Sequence, residues 1–173
     1  DNLGGTVLVH KIEHQNAEDV ILAMEKMRLE EVSGIAMVPL DEESVKREID
    51  RFVEELRIPV VTFTSDVEDT KRLCFVGQNG VQCGRAAAGL MGELTGGKGK
   101  VAVISGYSTN TSLSSRVTGF REEMARKYPG IEIIGPEYCF EENGRAREIT
   151  EGIFKEVPNL DGIYLTSHGE EGV

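Results

Sequence analysis

Six polar side chains follow three apolar runs of this chain, two after each run. They are Thr64 and Asp66, Tyr107 and Asn110, and Ser167 and His168. In open α/β folds, ligands bind beyond the carboxyl ends of the strands, which meet at one edge of the sheet. The six side chains offer hydroxyls, an amide, a carboxylate and an imidazole, which suit a neutral polyol. The pattern therefore predicts a binding edge for a small hydroxyl-bearing ligand, with ordinary polar loop chemistry as the alternative for each residue taken singly.

Arg116 is the cation best placed to join this edge. It follows the second polar loop and is predicted in the first turn of a helix, where the macrodipole is already positive. A cation there needs an anionic or hydroxyl-bearing partner, and a guanidinium presents a rigid fork of donors. A ligand would supply that partner, whereas a solvated arginine paired with a nearby carboxylate is the alternative. Phe63, Tyr107 and Phe140 are candidate aromatic platforms for a sugar ring, although the chain has no tryptophan.

No residue pattern predicts catalysis or a cofactor. A GxSxG motif is absent, and His168 has no evident nucleophile beside it. Residues 92–98 match the letters GxxxxGK, but they end a predicted helix and Gly99 stands where a phosphate loop needs Ser or Thr. These glycines predict a helix terminus and a turn instead. We therefore predict a binding protein that is not an enzyme and uses no cofactor.

Histidine and cysteine spacing does not predict a metal site either. His10 and His14 are four residues apart, but they fall beside a predicted strand and lack a third ligand. Cys74, Cys83 and Cys139 are odd in number and widely spaced, which is a poor disulfide framework. Free thiols suit a reducing compartment, so the cysteine content predicts a cytoplasmic protein.

The overall charge and hydropathy exclude two further classes. The formal net charge is −11 and no Lys/Arg cluster stands out, so this chain alone should not bind DNA. No apolar run approaches the ~20 residues that span a membrane. Residues 1–5 lack a basic start and an apolar stretch, so no signal peptide is predicted there.

Apolar runs alternate with helical patterns along the chain. Seven short runs are predicted as strands, at residues 6–10, 34–40, 60–63, 74–77, 100–105, 131–136 and 162–166. Unbroken apolar runs are typical of parallel strands covered on both faces. Apolar residues at helical spacing lie between them, for example at Val45, Ile49 and Phe52.

This alternation predicts an α/β fold of two doubly wound parallel-sheet lobes, at residues 1–78 and 79–173. The chain is interpreted as part of a longer fold, without its first βα unit and its C-terminal strands.

Three segments resemble the effector-binding domain of LacI/GalR-type bacterial transcription regulators, which shares its fold with type I periplasmic sugar-binding proteins. They are PVVTF at residues 59–63, VGQNGVQCGRAA at 76–87 and SRVTGF at 115–120. The resemblance covers residues 34–166.

By this resemblance, Arg116 matches the arginine that holds the sugar in the second lobe. Asp66 or Thr64 lies near the position where the family often has an aspartate that contacts ligand hydroxyls. The family's Asn-Asp pair is replaced by Ser167-His168, and its Asp-Asn pair by Asn79-Gly80. These departures leave the identity of the ligand open.

The resemblance implies a sensor that binds a small, sugar-like effector between two lobes without chemical turnover. It also implies a homodimer that reaches DNA through a helix-turn-helix head outside this chain. The alternative is the solute-binding protein of a sugar ABC transporter, with the same fold, and an α/β enzyme with an unrecognised site is a third hypothesis. The free cysteines favour the regulator.

Overall fold

The computed structural model describes residues 4–12, 14 and 16–173. The chain divides into two compact units, Asp1–Val76 (unit 1) and Gly77–Val173 (unit 2). The predicted lack of a signal peptide rests partly on residues 1–3, which lie outside the described residues. Among the described residues, no helix is long and apolar enough to cross a membrane.

Unit 1 contains a three-stranded parallel sheet with two helices. Its elements are α1 (Ala17–Leu29), β1 (Ile35–Met37), α2 (Glu43–Glu54), β2 (Val60–Phe63) and β3 (Cys74–Val76), with the strands in the order β1-β2-β3. The helix predicted from apolar residues at helical spacing is confirmed as α2, and Val45, Ile49 and Phe52 are all completely buried. They pack with Val20 and Met24 of α1 and with one face of the sheet.

The other face of the unit 1 sheet is open among the described residues. Ala36 and Cys74 are exposed, Phe63 is 40% exposed and Val76 is 61% exposed. These residues alternate with the buried ones along each strand, as the period of two requires. The prediction of strands covered on both faces is therefore wrong for this sheet as far as the structure describes it.

The strand predicted at residues 6–10 is not formed. Val7 and Val9 are 83% and 85% exposed, and no strand is assigned there. In the described sheet β1 pairs only with β2, so this segment has no neighbouring strand. A strand requires a hydrogen-bonding partner as well as an apolar run, and the run alone gave the wrong prediction.

Unit 2 also contains a three-stranded parallel sheet, with the order β5-β4-β6. Its elements are α3 (Gly80–Leu94), β4 (Lys98–Ser105), α4 (Thr111–Lys127), β5 (Gly130–Tyr138), α5 (Asn143–Glu156), β6 (Gly162–Leu165) and a short 3₁₀ helix (Glu170–Gly172). The predicted α/β fold with parallel sheets is thus confirmed in both units.

The central strand β4 is covered on both faces, as its apolar run predicts. Val101 and Val103 pack against α3 and α4, in a cluster with Phe120. Ala102 and Ile104 point the opposite way, into a cluster with α5. All four β4 residues are fully buried, so this strand separates the two cores of unit 2.

Helices α3 and α4 cross in backbone contact at two glycines. A Cβ on Gly84 would overlap the carbonyl oxygen of Arg116 and lie 2.7 Å from the backbone nitrogen of Phe120. A Cβ on Gly119 would overlap the carbonyl oxygen of Val81. Each helix therefore places a glycine against the backbone of the other, and this contact fixes the turn that bears Arg116.

Glu123 on α4 gives unit 2 a predictable response to acid. Its carboxylate is 8% exposed and lies 2.7 Å from Lys127 Nζ and 2.8 Å from Arg126 Nη2. Hydrogen bonds from Lys127, and then Arg126, hold the pKa of Glu123 below its ordinary value of 4.5. A carboxyl whose pKa is lower in the folded state stabilises the fold above its unfolded pKa, and this contribution is lost as the pH falls through the folded-state pKa.

We expect Glu123→Gln to lower the free energy of unfolding near neutral pH and to make its loss below pH 4.5 shallower. Urea titrations at a series of pH values would measure both effects. Glu122→Gln is the control, because Glu122 is 53% exposed in a surface pair with Arg85. Parallel pH profiles for wild type and Glu123→Gln would contradict the prediction.

Candidate functional site

The carboxyl ends of the three unit 2 strands meet at one edge of the sheet. Ser105, at the end of β4, shares a buried 2.8 Å hydrogen bond with the hydroxyl of Thr166, just after β6. Cys139, just after β5, donates its backbone N–H to the carbonyl oxygen of Ser105. The loops that leave the three strands are therefore fixed to one another where they begin.

Arg116 reaches this edge from α4. Its Nη1 donates to the carbonyl oxygen of Thr166 at 3.0 Å, and its Nη2 donates to Gln78 Oε1 at 3.3 Å. Its Nε is buried and has no hydrogen-bond partner. Arg116 forms no ion pair with any described residue, so the predicted alternative of a carboxylate partner is not observed. Both terminal nitrogens of the guanidinium are therefore fixed by hydrogen bonds, and each keeps a second N–H for a further acceptor.

The predicted position of Arg116 in the first turn of its helix is wrong. Helix α4 begins at Thr111, so Arg116 lies in its second turn rather than its first. The earlier start is explained by Asn110, whose side-chain oxygen accepts from the backbone N–H groups of Ser112 and Leu113. The macrodipole is therefore a weaker influence on Arg116 than the sequence suggested, because its effect falls off within the first turn. The same contacts show that Asn110 caps a helix; its role in binding stays a prediction.

Tyr107 and Phe140 form an aromatic pair at this edge. Their ring centroids are 5.4 Å apart and their planes are inclined by 55°. Burial, followed by the charges of Glu141 and Glu142, raises the pKa of the Tyr107 hydroxyl. Tyr107 therefore stays a neutral hydroxyl that can donate or accept, and Phe140, 47% exposed, presents part of an apolar ring.

Ser167 and His168 follow β6 and differ in their surroundings. The Ser167 hydroxyl donates to the carbonyl oxygen of His168 at 3.3 Å and borders Gly106, where an added Cβ would lie 3.0 Å from its oxygen. The His168 side chain is 81% exposed and lies 3.8 Å from Glu170. The structure thus places Ser167 among the other strand ends and leaves His168 largely in solvent.

Thr64 lies at the end of β2 in unit 1 with a positive φ of 64°. A β-branched residue rarely adopts this left-handed conformation, and such strain often accompanies function. Its backbone N–H donates to the carbonyl oxygen of Val76 at 3.2 Å, which fixes the turn. The side chain is exposed, so its predicted role in binding is compatible with its position.

Asp66 has strong partners inside unit 1. Arg72 Nε lies 2.6 Å from Asp66 Oδ1, and Arg72 Nη2 donates to Asp66 Oδ2 at 2.6 Å. The hydroxyl of Thr62 donates to Oδ1 at 2.7 Å. This ion pair, with its hydrogen bond from Arg72 Nη2, stabilises the loop after β2. The predicted contact of Asp66 with a ligand is untested, and the carboxylate already has a structural role.

Sequence reasoning missed two residues at the unit 2 edge, Gln78 and Glu141. Gln78 is 38 residues from the arginine that it contacts, and no local pattern indicates that contact. Glu141 was missed because β5 was predicted to end at residue 136, whereas it continues to Tyr138. With the observed end, the rule that found the other polar loops would have found Glu141 too.

The described residues contain no group of three or more His, Cys, Asp or Glu side chains placed to hold a metal ion. All three cysteines are free: Cys74 is exposed, Cys83 is partly buried and Cys139 is buried. The side chains at the unit 2 edge are thus hydrogen-bonding and aromatic groups, suited to an uncharged polar ligand.

The family model described as "Periplasmic binding protein domain" matches residues 1–173. The chain belongs to this periplasmic binding protein family. The predicted periplasmic-binding-protein-like fold is therefore confirmed, while the match does not single out the LacI-type regulators. Among curated proteins, no match was found.

Solved structures of this periplasmic binding protein fold resemble the chain over most of its length. A solute-binding protein of an ABC transporter from Burkholderia graminis, in complex with D-arabinose, is 29% identical, with a TM-score of 0.84 over 91% of this chain and 53% of that one. GanP, a glucose-galactose binding protein from Geobacillus stearothermophilus, is 29% identical, with a TM-score of 0.82 over 90% and 55%. A sugar-binding protein of a Bacillus halodurans ABC transporter is 31% identical, with a TM-score of 0.79 over 91% and 54%.

The chain thus spans about half the length of each of these periplasmic binding proteins. These three neighbours are described as solute-binding or sugar-binding proteins. They correspond to the alternative raised from the sequence, the solute-binding protein, more closely than to the transcription regulator.

Proposed function

We propose that this chain is part of a solute-binding protein of a sugar transporter and binds an uncharged monosaccharide at the carboxyl edge of the unit 2 sheet. The observation that carries the proposal is Arg116, whose Nη1 and Nη2 each donate one hydrogen bond, to Thr166 and to Gln78. Each Nη keeps a second N–H, and a ligand hydroxyl would accept from it.

The other groups at this edge complete the chemistry of sugar recognition. Tyr107 and Ser167 offer hydroxyls, and the rings of Tyr107 and Phe140 offer apolar surface to the C–H face of a pyranose or furanose. Each of these groups binds without changing the ligand. The proposed function therefore includes no bond made or broken and needs no cofactor.

The solved neighbours support a sugar as the ligand, because one was crystallised with D-arabinose and another binds glucose and galactose. Calorimetry of the full-length protein with D-arabinose, D-glucose and D-galactose tests the proposal. We expect at least one of them to bind with a dissociation constant on the order of micromolar or tighter, and to be recovered unchanged. Failure of all neutral pentoses and hexoses to bind would overturn the proposal.

A LacI-type regulator is the second candidate function, and the observation that favours it is the free state of all three cysteines. Such a protein would be cytoplasmic and homodimeric and would contact DNA through a head outside this chain. We prefer the transporter component because two of the solved structures described above are binding proteins of ABC transporters. Cell fractionation separates the two, since a regulator stays with cytosol and DNA whereas a solute-binding protein works outside the cytoplasmic membrane.

A further inference from the structure

The segment after β5 adopts an unusual backbone conformation. Phe140 and Glu141 are consecutive non-glycine residues with φ values of 55° and 62°. Left-handed conformations of such residues persist only where the surrounding structure enforces them, and they concentrate at ligand sites. Here backbone hydrogen bonds from Phe140 to Gly106 and from Glu142 to Cys139 hold the turn.

This conformation places the Glu141 side chain next to the residues of the proposed site. A Cβ added to Gly106 would lie 2.9 Å from Glu141 Cγ and 3.0 Å from Ser167 Oγ. Glu141 and Ser167 thus border the same glycine, from the ends of β5 and β6. The Glu141 charge also contributes to the raised pKa of Tyr107, which follows β4. Residues after three adjacent strands therefore lie near the Glu141 side chain.

Glu141 has no partner that would explain this placement. The side chain is half-buried, yet it makes no hydrogen bond or ion pair with any described residue. Its neighbour Glu142 adds a like charge, and Phe140 adds an apolar ring. The carboxylate oxygens of Glu141 therefore keep their acceptor sites for solvent or for a ligand.

We infer that Glu141 is the acceptor that reads the hydroxyl positions of the ligand. This inference rests on the proposed function and makes it more specific. Arg116 supplies donors at the edge, whereas the carboxylate of Glu141 supplies only acceptor sites. A ligand that satisfies both has hydroxyls that donate to Glu141, as a neutral monosaccharide does. A site built to accept from a hydroxyl rejects analogues that lack it, so Glu141 determines which deoxy sugars bind.

The test uses the full-length protein and whichever of D-arabinose, D-glucose and D-galactose binds the wild type most tightly. Glu141→Gln is expected to weaken its binding by about tenfold or more, since hydrogen bonds to a charged acceptor are among the stronger ones. Glu142→Gln is the matched control, because Glu142 is an exposed neighbour whose side chain forms no capping hydrogen bond. We expect it to change the dissociation constant by no more than about twofold.

Monodeoxy derivatives of the same sugar distinguish recognition from a structural role. At least one derivative should bind the wild type about tenfold more weakly than the parent sugar, and should bind Glu141→Gln with little further discrimination. Urea unfolding should show Glu141→Gln to be as stable as wild type or more so, because the substitution removes a charge without partners.

Equal sugar affinities for Glu141→Gln and wild type would overturn the inference and leave the proposed function intact. Unchanged deoxy discrimination in the variant would also overturn it. If the wild type binds no neutral sugar, the proposed function fails first and the inference fails with it.

Discussion

Gly84→Ala is expected to destabilise unit 2 by about 3 kcal/mol, at the upper end of what overpacking usually costs. The added methyl group would overlap the carbonyl oxygen of Arg116 and crowd the backbone nitrogen of Phe120. Both neighbours are backbone atoms of a packed helix, so no side-chain rotation relieves the overlap. The helices must separate, and the buried contacts of Phe120 in the unit 2 core weaken with them.

Gly89→Ala on the same helix is the matched control. No atom lies within 4 Å of a Cβ placed at Gly89, so alanine should stabilise the helix there by about 0.5 to 1 kcal/mol. All four tyrosines of the chain lie in unit 2 and the chain has no tryptophan, so tyrosine fluorescence during urea unfolding monitors this unit. Similar unfolding midpoints for the two variants would contradict the proposed helix crossing.

Arg116→Lys is expected to weaken sugar binding by about 100-fold in the full-length protein. Lysine keeps the positive charge but has a single flexible ammonium group. It therefore does not reproduce the two hydrogen bonds that fix the guanidinium to Thr166 and Gln78. Loss of about two charge-assisted hydrogen bonds to the ligand corresponds to about 2.7 kcal/mol. Calorimetry with the sugar that binds the wild type most tightly measures the change.

Arg121→Lys provides the comparison for this substitution, because Arg121 lies on the same helix but is exposed and, among the described residues, donates a hydrogen bond only to the carbonyl oxygen of Gly135. Its sugar affinity should stay within about twofold of wild type. If Arg116→Lys also binds with unchanged affinity, Arg116 does not contact the ligand and the proposed site at the unit 2 edge is wrong.

The strands of unit 2 could be predicted because their pattern is local. Residues 101–104 are all apolar, and a strand buried on both faces needs this run whatever else surrounds it. The same reasoning failed at residues 6–10, where an apolar run has no neighbouring strand among the described residues. A run of apolar residues shows which side chains a strand could bury, but it does not show whether another strand lies beside it.

The candidate site was predicted only in outline. Arg116 and Tyr107 were found because they follow apolar runs, but the partners that hold Arg116, Gln78 and Thr166, are distant in sequence. The pairing of Asp66 with Arg72 likewise depends on how a loop closes, which residue spacing does not specify. Periodicity predicts elements, and the contacts between their ends require coordinates.

Arg116 takes part in both the helix crossing and the candidate site. Its carbonyl oxygen faces Gly84, and its guanidinium donates to the carbonyl oxygen of Thr166. Any change in the tilt of either helix would therefore also shift the cation. The loops that carry Tyr107 and Glu141 are free of this constraint, since they lie outside the helix crossing. A protein engineer who wants a different sugar preference should vary those loops and leave the paired glycines unchanged.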